Sequence, residues 1–186
     1  MFKTLGKHEE ELIVKKSRFI ALSCNVSSQQ SAREFVEQVK KQHITARHIA
    51  YAYRVEENGQ LFQKSSDDGE PSGTAGKPIL NLILNEDLMN VCICVVRYFG
   101  GIKLGAGGLT RAYGNCAGLL KEYFVNLKKS VKLVCEINNA DRLLKFLDNQ
   151  NLEYQKKFDE KLCVEMMVED VEELKKQLNF VEFVEN

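Results

Sequence analysis

The stretch VCICVVRYFGGIKLGAGGLTRAYGNCAG, residues 91–118, decides the fold of the first part of the chain. Its first nine residues (91–99) are almost continuously apolar, which is typical of a strand buried on both faces of a sheet. A glycine-rich loop follows, GGIKLGAGG, and then the longest predicted helix begins. We expect Gly114 and Gly118 to let this helix pack closely against a neighbour. The buried stripe is predicted at Leu109, Tyr113, Cys116, Leu120, Tyr123 and Leu127.

Upstream of this unit the pattern alternates between strands and helices. Residues 11–26, ELIVKKSRFIALSCNV, predict two strands around a turn at residues 15–17. A helix then follows, capped by Ser28 or by Ser31, with Ser31 and Glu34 at capping-box spacing. Its buried face is predicted at Ala32, Phe35, Val36 and Val39.

The middle of the chain predicts a hairpin and a short helix. Residues 49–55 alternate between apolar and other side chains, and Asn58-Gly59 is a hairpin turn motif before a strand that begins at Leu61. A nearly all-apolar helix is predicted over residues 79–84, and Pro78 is tolerated in its first turn.

The last 56 residues predict a second fold. The order is strand 131–137, helix 140–149, strand 152–158, strand 162–168, helix 171–179, strand 181–184. This β-α-β-β-α-β order is the ferredoxin-like split unit. We therefore predict an α/β protein of the α+β type with two domains, residues 1–129 and 130–186.

Charge supports this division. The chain has 26 basic and 26 acidic residues, but residues 1–130 hold 18 basic against 13 acidic, and residues 131–186 hold 8 against 13. Such asymmetry indicates domains with different roles, although it is too mild to establish a polyanion partner.

Composition indicates a soluble globular protein. The chain is 44% hydrophobic and 28% charged, and no segment has the apolar length needed to cross a bilayer. Its first residues, MFKTLGKHEEELIV, hold no apolar run of signal-peptide length. The six cysteines include no Cys-x-x-Cys pair and fall mostly in apolar runs, so buried free thiols are expected. We predict a cytoplasmic location and no membrane partner.

Glycine is concentrated in one region. Ten of the twelve glycines lie between residues 69 and 118, in two loops that each lead into a helix start. We call residues 67–78 the first glycine loop and residues 97–111 the second glycine loop. Backbone N–H groups at those helix starts would suit phosphate or carboxylate. Four basic residues lie nearby: Lys77, Arg97, Lys103 and Arg111.

Known nucleotide motifs do not fit these loops. A Walker A loop ending at Gly76-Lys77 would need glycine at 71 and serine or threonine at 78, and both positions are proline. The second glycine loop has Thr110 where a dinucleotide fingerprint needs its third glycine. A phosphate- or nucleotide-using enzyme with a glycine-rich anion loop nevertheless stays open as the alternative function.

Metal and catalytic sites are not predicted. Asp67, Asp68 and Glu70 are spaced to hold a hard cation, but a solvated acidic turn or helix N-terminal charge is favoured. His43 and His48 have no recognisable pairing with a nucleophile, so no catalytic residue is assigned. We predict no metal, no cofactor and no enzymatic activity.

The two loops resemble the signature of the IMPACT/YigZ family. The resemblance is carried by residues 67–78, DDGEPSGTAGKP, by residues 95–105, VVRYFGGIKLG, and by residues 107–109, GGL. It extends over most of residues 1–130, where Ser17-Arg18-Phe19 and Arg47-His48 also fit.

The resemblance implies a fold and a biological setting. It implies an N-terminal domain similar to the second domain of ribosomal protein S-five, which also resembles a domain of elongation factor G, with a left-handed β-α-β crossover against the usual rule. Bacterial members carry a ferredoxin-like C-terminal domain, in agreement with the pattern above. Eukaryotic relatives restrain a stress-activated kinase of a translation initiation factor, with additional regions beyond the shared domains.

We therefore predict a translation-associated regulatory or binding protein with a role in stress response. Its partner would be RNA, the ribosome or a translation-related protein. A third alternative places function on the acidic C-terminal domain as a protein-interaction module. The binding residues are predicted to be Asp67, Asp68, Gly69, Glu70, Ser72, Gly73, Thr74, Gly76, Lys77, Arg97, Tyr98, Gly100, Gly101, Lys103, Gly105, Gly107, Gly108 and Arg111.

Overall fold

The computed structural model describes residues 3–126 and 128–185. The chain forms two compact units that divide between Val125 and Asn126. Each unit has its own sheet and its own hydrophobic core. The order of predicted elements therefore gave the correct two-domain α+β architecture.

The first unit is built on one five-stranded sheet. The sheet consists of β2 (His8–Val14), β3 (Ser17–Asn25), β4 (His48–Glu57), β5 (Gln60–Ser66) and β6 (Val91–Tyr98). The short strand β1 (Lys3–Thr4) lies outside this sheet, and β7 (Val125–Asn126) lies at the division. The sheet order is β2-β3-β6-β4-β5, and every neighbouring pair is antiparallel. Strands β3 and β4 therefore run parallel on either side of β6. Helix α1 (Gln29–Gln42) joins them as a β-α-β crossover.

Helices cover both faces of this sheet. Helix α1 packs on one face, while α2 (Gly76–Asn85) and α3 (Gly105–Gly118) share the other. Along β6, Val91, Ile93 and Val95 face α2 and α3. The alternate residues Cys92, Cys94 and Val96 face α1. The predicted strand buried on both faces is thus confirmed.

The start of α1 follows its local sequence. Ser28 is the N-cap, and its hydroxyl oxygen accepts a hydrogen bond from the backbone N–H of Ser31 at 3.0 Å. The Ser31 hydroxyl oxygen in turn accepts from the backbone N–H of Ser28, also at 3.0 Å. Of the two predicted caps the structure selects Ser28, and Ser31 closes the box in place of Glu34. The predicted apolar face is buried.

Helix α3 ends earlier than predicted. It stops at Gly118, and a 3₁₀ segment over Leu119–Tyr123 follows; Leu127 lies outside the described residues. The reason is tertiary, because the hydroxyl of Tyr123 donates to Glu10 Oε1 at 2.5 Å and its ring stacks on His8. These contacts draw the chain toward β2 instead of continuing the helical stripe.

The two helix glycines are also not needed for close packing. A Cβ added at Gly114 would lie 3.7 Å from Pro78 Cβ, an ordinary contact, and one added at Gly118 would meet nothing within 4 Å. The expectation that both permit tight helix packing was therefore wrong.

The second unit has the predicted ferredoxin-like topology. Its strands are β8 (Lys129–Glu136), β9 (Tyr154–Phe158), β10 (Lys161–Val168) and β11 (Glu182–Glu185), and its helices are α4 (Ala140–Asn149) and α5 (Val171–Gln177). The sheet order is β11-β8-β10-β9 with antiparallel neighbours. Because the strands occur along the chain in the order β8, β9, β10, β11, this is the arrangement of a split β-α-β unit.

All six cysteines are free thiols, as expected, and Cys92, Cys94, Cys116 and Cys135 are buried. Burial raises the pKa of Cys116 to about 12, so this thiol stays protonated and unreactive. Within residues 3–126 and 128–185, no helix is long and apolar enough to span a bilayer.

Candidate functional site

The two glycine loops lie at the same end of the five-stranded sheet. The register pairs Arg97 with His48 and Tyr98 with Arg18, so the end of β6 adjoins the starts of β3 and β4. The first glycine loop leaves the end of β5, whose Ser66 pairs with Tyr51 of β4. The structure therefore brings together two segments that are about thirty residues apart in the sequence.

The first glycine loop is organised around Asp67. One carboxylate oxygen accepts a hydrogen bond from Gly73 N at 2.8 Å, and the other accepts from Ala75 N at 2.9 Å and Gly76 N at 2.8 Å. Burial opposes ionisation of this carboxyl, but the three N–H donors outweigh it, and the pKa of Asp67 lies below its ordinary value. Amides that could have held an external anion at the start of α2 are thus occupied by the chain itself.

Asp68 fastens the same loop to β4. Its carboxylate accepts from Ile49 N at 2.7 Å, and its carbonyl oxygen lies 2.8 Å from His48 Nδ1. Asp68 and Gly69 both have positive φ, +46° and +85°. Thr74, which is buried, donates its hydroxyl to the carbonyl of Pro71 at 2.6 Å. The loop is therefore closed by its own hydrogen bonds.

Glu70 and Arg97 form a buried ion pair beneath the loops. Arg97 Nη1 lies 2.6 Å from Glu70 Oε1, and their side chains are only 7% and 4% exposed. Tyr113 of α3 donates its hydroxyl to the same oxygen at 2.9 Å. Burial and the neighbouring Glu70 carboxylate raise the pKa of Tyr113 far above its ordinary value, so the phenol stays a donor. The triad joins the first loop, β6 and α3.

The three acidic residues of the first loop are engaged separately. Asp67 binds the start of α2, Asp68 binds β4 and Glu70 binds Arg97. Among the described residues, no group of three or more His, Cys, Asp or Glu side chains could hold a metal ion.

The second glycine loop is open where the first is closed. Helix α3 begins with no side-chain cap and no acidic residue in its first turn. Phe99, Ile102 and Lys103 are exposed, the first two at 49% and 41%. A Cβ added at Gly107 would lie 3.8 Å from Arg111 Nη1, so the Arg111 charge lies beside the first turn. The partial positive charge of this helix end is reinforced by cations.

A lysine turn, which the sequence analysis did not assign to the site, supports the second loop. Lys15 and Lys16 have φ of +45° and +66°, and both are exposed. A Cβ added at Gly100 would come within 2.0 Å of the Lys16 backbone, so the loop and the turn touch directly. Gly100 N also donates to Ser17 Oγ at 3.2 Å. The sequence held one indication of this turn's role, because a two-residue hairpin turn favours Asn-Gly and this one carries two lysines.

The other predicted residues divide by exposure. Tyr98 is half-buried, with its hydroxyl 2.9 Å from His43 Nδ1 and the Arg18 guanidinium 5.8 Å from its ring centre. A Cβ added at Gly76 would clash with the Ser66 backbone at 2.6 Å, so this glycine serves packing. The exposed members of the predicted set are Gly69, Ser72, Lys77, Gly101, Lys103, Gly105, Gly107 and Arg111.

Comparison with known proteins places this arrangement in a family. The Impact N-terminal domain model matches residues 15–120. IMPACT family member YvyE of Bacillus subtilis is 40% identical over 174 residues, which cover 86% of this chain and 79% of that protein. IMPACT family member YigZ of Escherichia coli is 44% identical over 103 residues, 54% of this chain and 50% of that protein, so the match spans about half of that relative.

A solved structure supports the fold along the whole chain. A crystal structure described as that of a hypothetical protein aligns with a TM-score of 0.62 at 26% identity, covering 100% of this chain and 97% of that one. The domain model covers more than half of the chain, and the Bacillus subtilis relative matches most of it. The resemblance noted in the two glycine loops is therefore confirmed, and this chain belongs to the IMPACT family.

Proposed function

We propose that this chain is a translation-associated regulatory protein that binds RNA through the open end of its first domain. We call this surface the basic face. It consists of Lys15, Lys16, Arg18, Phe99, Ile102, Lys103 and Arg111. Binding rather than catalysis is its role.

The observation that carries the proposal is the contrast between the two loops. The amides that begin α2 are held by Asp67, whereas the start of α3 is exposed, uncapped and flanked by Lys103 and Arg111. An exposed helix N-terminus beside cations favours phosphate. The first glycine loop then acts as support, and the second as the contact surface.

RNA is favoured over a free anion because the face also exposes apolar groups. Phe99 is half exposed, and a ring in this position can stack on an unpaired base. Arg97 lies beneath it, with its guanidinium 5.5 Å from the ring centre, and braces the ring from inside. Lysine and arginine around such a ring give the pairing of phosphate contact and stacking that single-stranded RNA binders use.

The link to translation rests on family membership and on the relationship to ribosomal protein S-five and elongation factor G that the sequence resemblance implies. The ribosome is accordingly the first natural target to examine, by co-sedimentation over a salt series. If a translation-related protein were the sole partner, its association with this chain would instead survive ribonuclease treatment.

Replacing Lys103 and Arg111 by alanine should reduce the salt dependence of RNA binding. Two lost phosphate contacts would lower the slope of log Kobs against log salt by about 1.4 for a single strand. Fluorescence anisotropy with a labelled RNA between about 50 and 200 mM salt measures this slope. The matched control is Arg33→Ala with Lys41→Ala on α1, which covers the opposite face of the sheet. An unchanged slope in the loop variant would reject RNA contact by the basic face.

Replacing Lys15 by asparagine and Lys16 by glycine should stabilise the fold while weakening RNA binding. Asn-Gly fits the left-handed turn, so relief of strain is worth about 1–2 kcal/mol. Loss of two cations should lower the salt slope by about 1.4. Urea denaturation and the same anisotropy series provide the two measurements. The control, Lys15→Arg with Lys16→Arg, keeps the charge and the strain and should change neither the stability nor the salt slope. Full RNA affinity in the Asn-Gly variant would show that the turn does not contact RNA.

A further inference from the structure

A second open surface of the first domain lies between α2 and α3. It is a groove of about 780 Å³. The lining residues that matter here are Lys77, Asn81, Asn85, Gly114, Asn115 and Gly118. Gly73 and Thr110 also line it, and Thr110 belongs to the second glycine loop. Thr110 precedes Arg111 of the basic face in α3, so one end of the groove adjoins that face.

Three asparagine amides of the groove are available to a ligand. The side chains of Asn81, Asn85 and Asn115 have no hydrogen-bond partner anywhere in the described parts of the chain. Each amide offers two N–H donors and a carbonyl acceptor. Asn81 and Asn115 lie in helix interiors, where asparagine is a poor helix former. The amides contribute little to the fold at these positions.

The charge of the groove favours an anion. Lys77 has no ion-pair or hydrogen-bond partner among residues 3–126 and 128–185, and no carboxylate is found among the lining residues. Lys121, at the other end, contacts Glu86, which also lies 3.6 Å from Lys3. Lys77 is thus the cation best placed to receive a phosphate, at the end nearest the basic face.

Gly114 and Gly118 leave the floor of the groove open, although glycine reduces the stability of helix α3. Gly118 has right-handed helical φ, and neither its conformation nor its surroundings require glycine. Gly114 would make only an ordinary contact with Pro78. Glycine weakens a helix relative to alanine. What both residues achieve is a floor without side chains, beside the unpaired amides.

We infer that this groove binds a short unpaired RNA segment that continues from the basic face. The inference rests on the proposed function. Lys77 contacts a backbone phosphate, and Asn81 and Asn115 bind base edges through their amides, as asparagine binds adenine. From Lys77 to Asn85 the helix rises about 12 Å, which accommodates a few nucleotides. In an RNA duplex the N6/N7 edge of adenine lies in the deep, narrow major groove, which side chains cannot reach, so the amides select a single strand.

The test compares the double variant, Asn81→Ala combined with Asn115→Ala, with the wild-type chain. Affinity for an adenine-rich single strand should fall about tenfold. The salt slope should not change, because the amides are neutral, and affinity for a duplex of the same sequence should be unaffected. The matched control is Gln38→Ala with Gln42→Ala, which removes two amides from α1 on the opposite sheet face.

A second variant separates binding from folding. Gly118→Ala should raise Tm by about 2–4 °C because it removes a helix-weakening residue. It should nevertheless weaken single-strand binding, because its methyl group enters the groove. A purely structural role of the groove would leave RNA affinity unchanged in this more stable protein, and that result would overturn the inference.

The outcomes distinguish the two proposals. If the lysine and arginine variants lower the salt slope while the asparagine variant binds single strands normally, the groove inference fails and the proposed function stands. If the wild-type chain binds neither single-stranded nor duplex RNA, both fail. If the asparagine variant loses a peptide partner but keeps its RNA affinity, the groove is a protein site and the inference is overturned.

Discussion

Replacing Glu70 by alanine should destabilise the first domain by about 3–5 kcal/mol. The change leaves the Arg97 guanidinium buried without its counter-ion, and the hydroxyl of Tyr113 loses its acceptor. Arg97 Nε already has no hydrogen-bond partner in the described parts of the chain, so its other nitrogens depend on Glu70 all the more. Native-state hydrogen exchange of the β6 amides measures the stability of this domain separately from the second.

Related variants identify the cause of that loss. Glu70→Gln keeps an acceptor for Tyr113 but removes the charge, so an intermediate loss is expected. Tyr113→Phe removes one hydrogen bond and should cost about 1–3 kcal/mol. Glu70→Leu combined with Arg97→Met removes both charges and should recover much of the loss, since apolar pairs replace buried ion pairs well. A loss below about 1 kcal/mol in Glu70→Ala would show that water or a local rearrangement compensates Arg97.

The same pair connects stability to the proposed RNA surface. The Arg97 guanidinium lies over the rings of both Phe19 and Phe99, at 5.6 and 5.5 Å from their centres. Phe19 belongs to the core and Phe99 to the basic face. Arg97 therefore holds the exposed ring against the domain, and Glu70 holds Arg97. Loss of Glu70 should reduce RNA affinity even at temperatures where the domain remains folded.

The local sequence pattern was sufficient for elements whose buried faces can be read from their own residues. Strand β6 is apolar on both faces because helices cover both, and the buried face of α1 follows the helical period. The β-α-β-β-α-β order of the second domain is typical of one sheet topology, the ferredoxin-like one, and the observed strand order matches it. In these segments the information lies within about fifteen residues of sequence, which is the range that periodicity covers.

Pattern failed where distant parts of the chain decide the outcome. The end of α3 depends on Tyr123 meeting His8 and Glu10, more than one hundred residues away in the sequence. The glycine clustering correctly indicated unusual backbone, but it did not distinguish a loop closed by Asp67 from an open one. That difference depends on which side chain reaches which amide. The sequence pattern also could not assign the lysine turn to the site, because only the folded structure places this turn against Gly100.

Replacing Asp67 by alanine should destabilise the first domain by about 2–4 kcal/mol at neutral pH. Three backbone N–H groups at the start of α2 lose a charged acceptor together. Donors left without a partner reduce stability wherever water does not take the place of the carboxylate. Because the folded pKa of Asp67 lies below the unfolded value, its contribution is present above about pH 4 and is lost as pH falls through the folded pKa. The difference between wild type and variant should therefore shrink in acid.

Urea denaturation at pH 7 and at about pH 3 measures this convergence. Asp159→Ala, an exposed position in the second domain, is the control and should change little at either pH. The variant also tests why only one glycine loop is open. With Asp67 removed, the amides of Gly73, Ala75 and Gly76 become donors without an acceptor, and phosphate should stabilise the variant more than it stabilises wild type. A variant as stable as wild type at pH 7 would mean that the carboxylate does not close the loop, and the contrast between the two loops would then lose its physical basis.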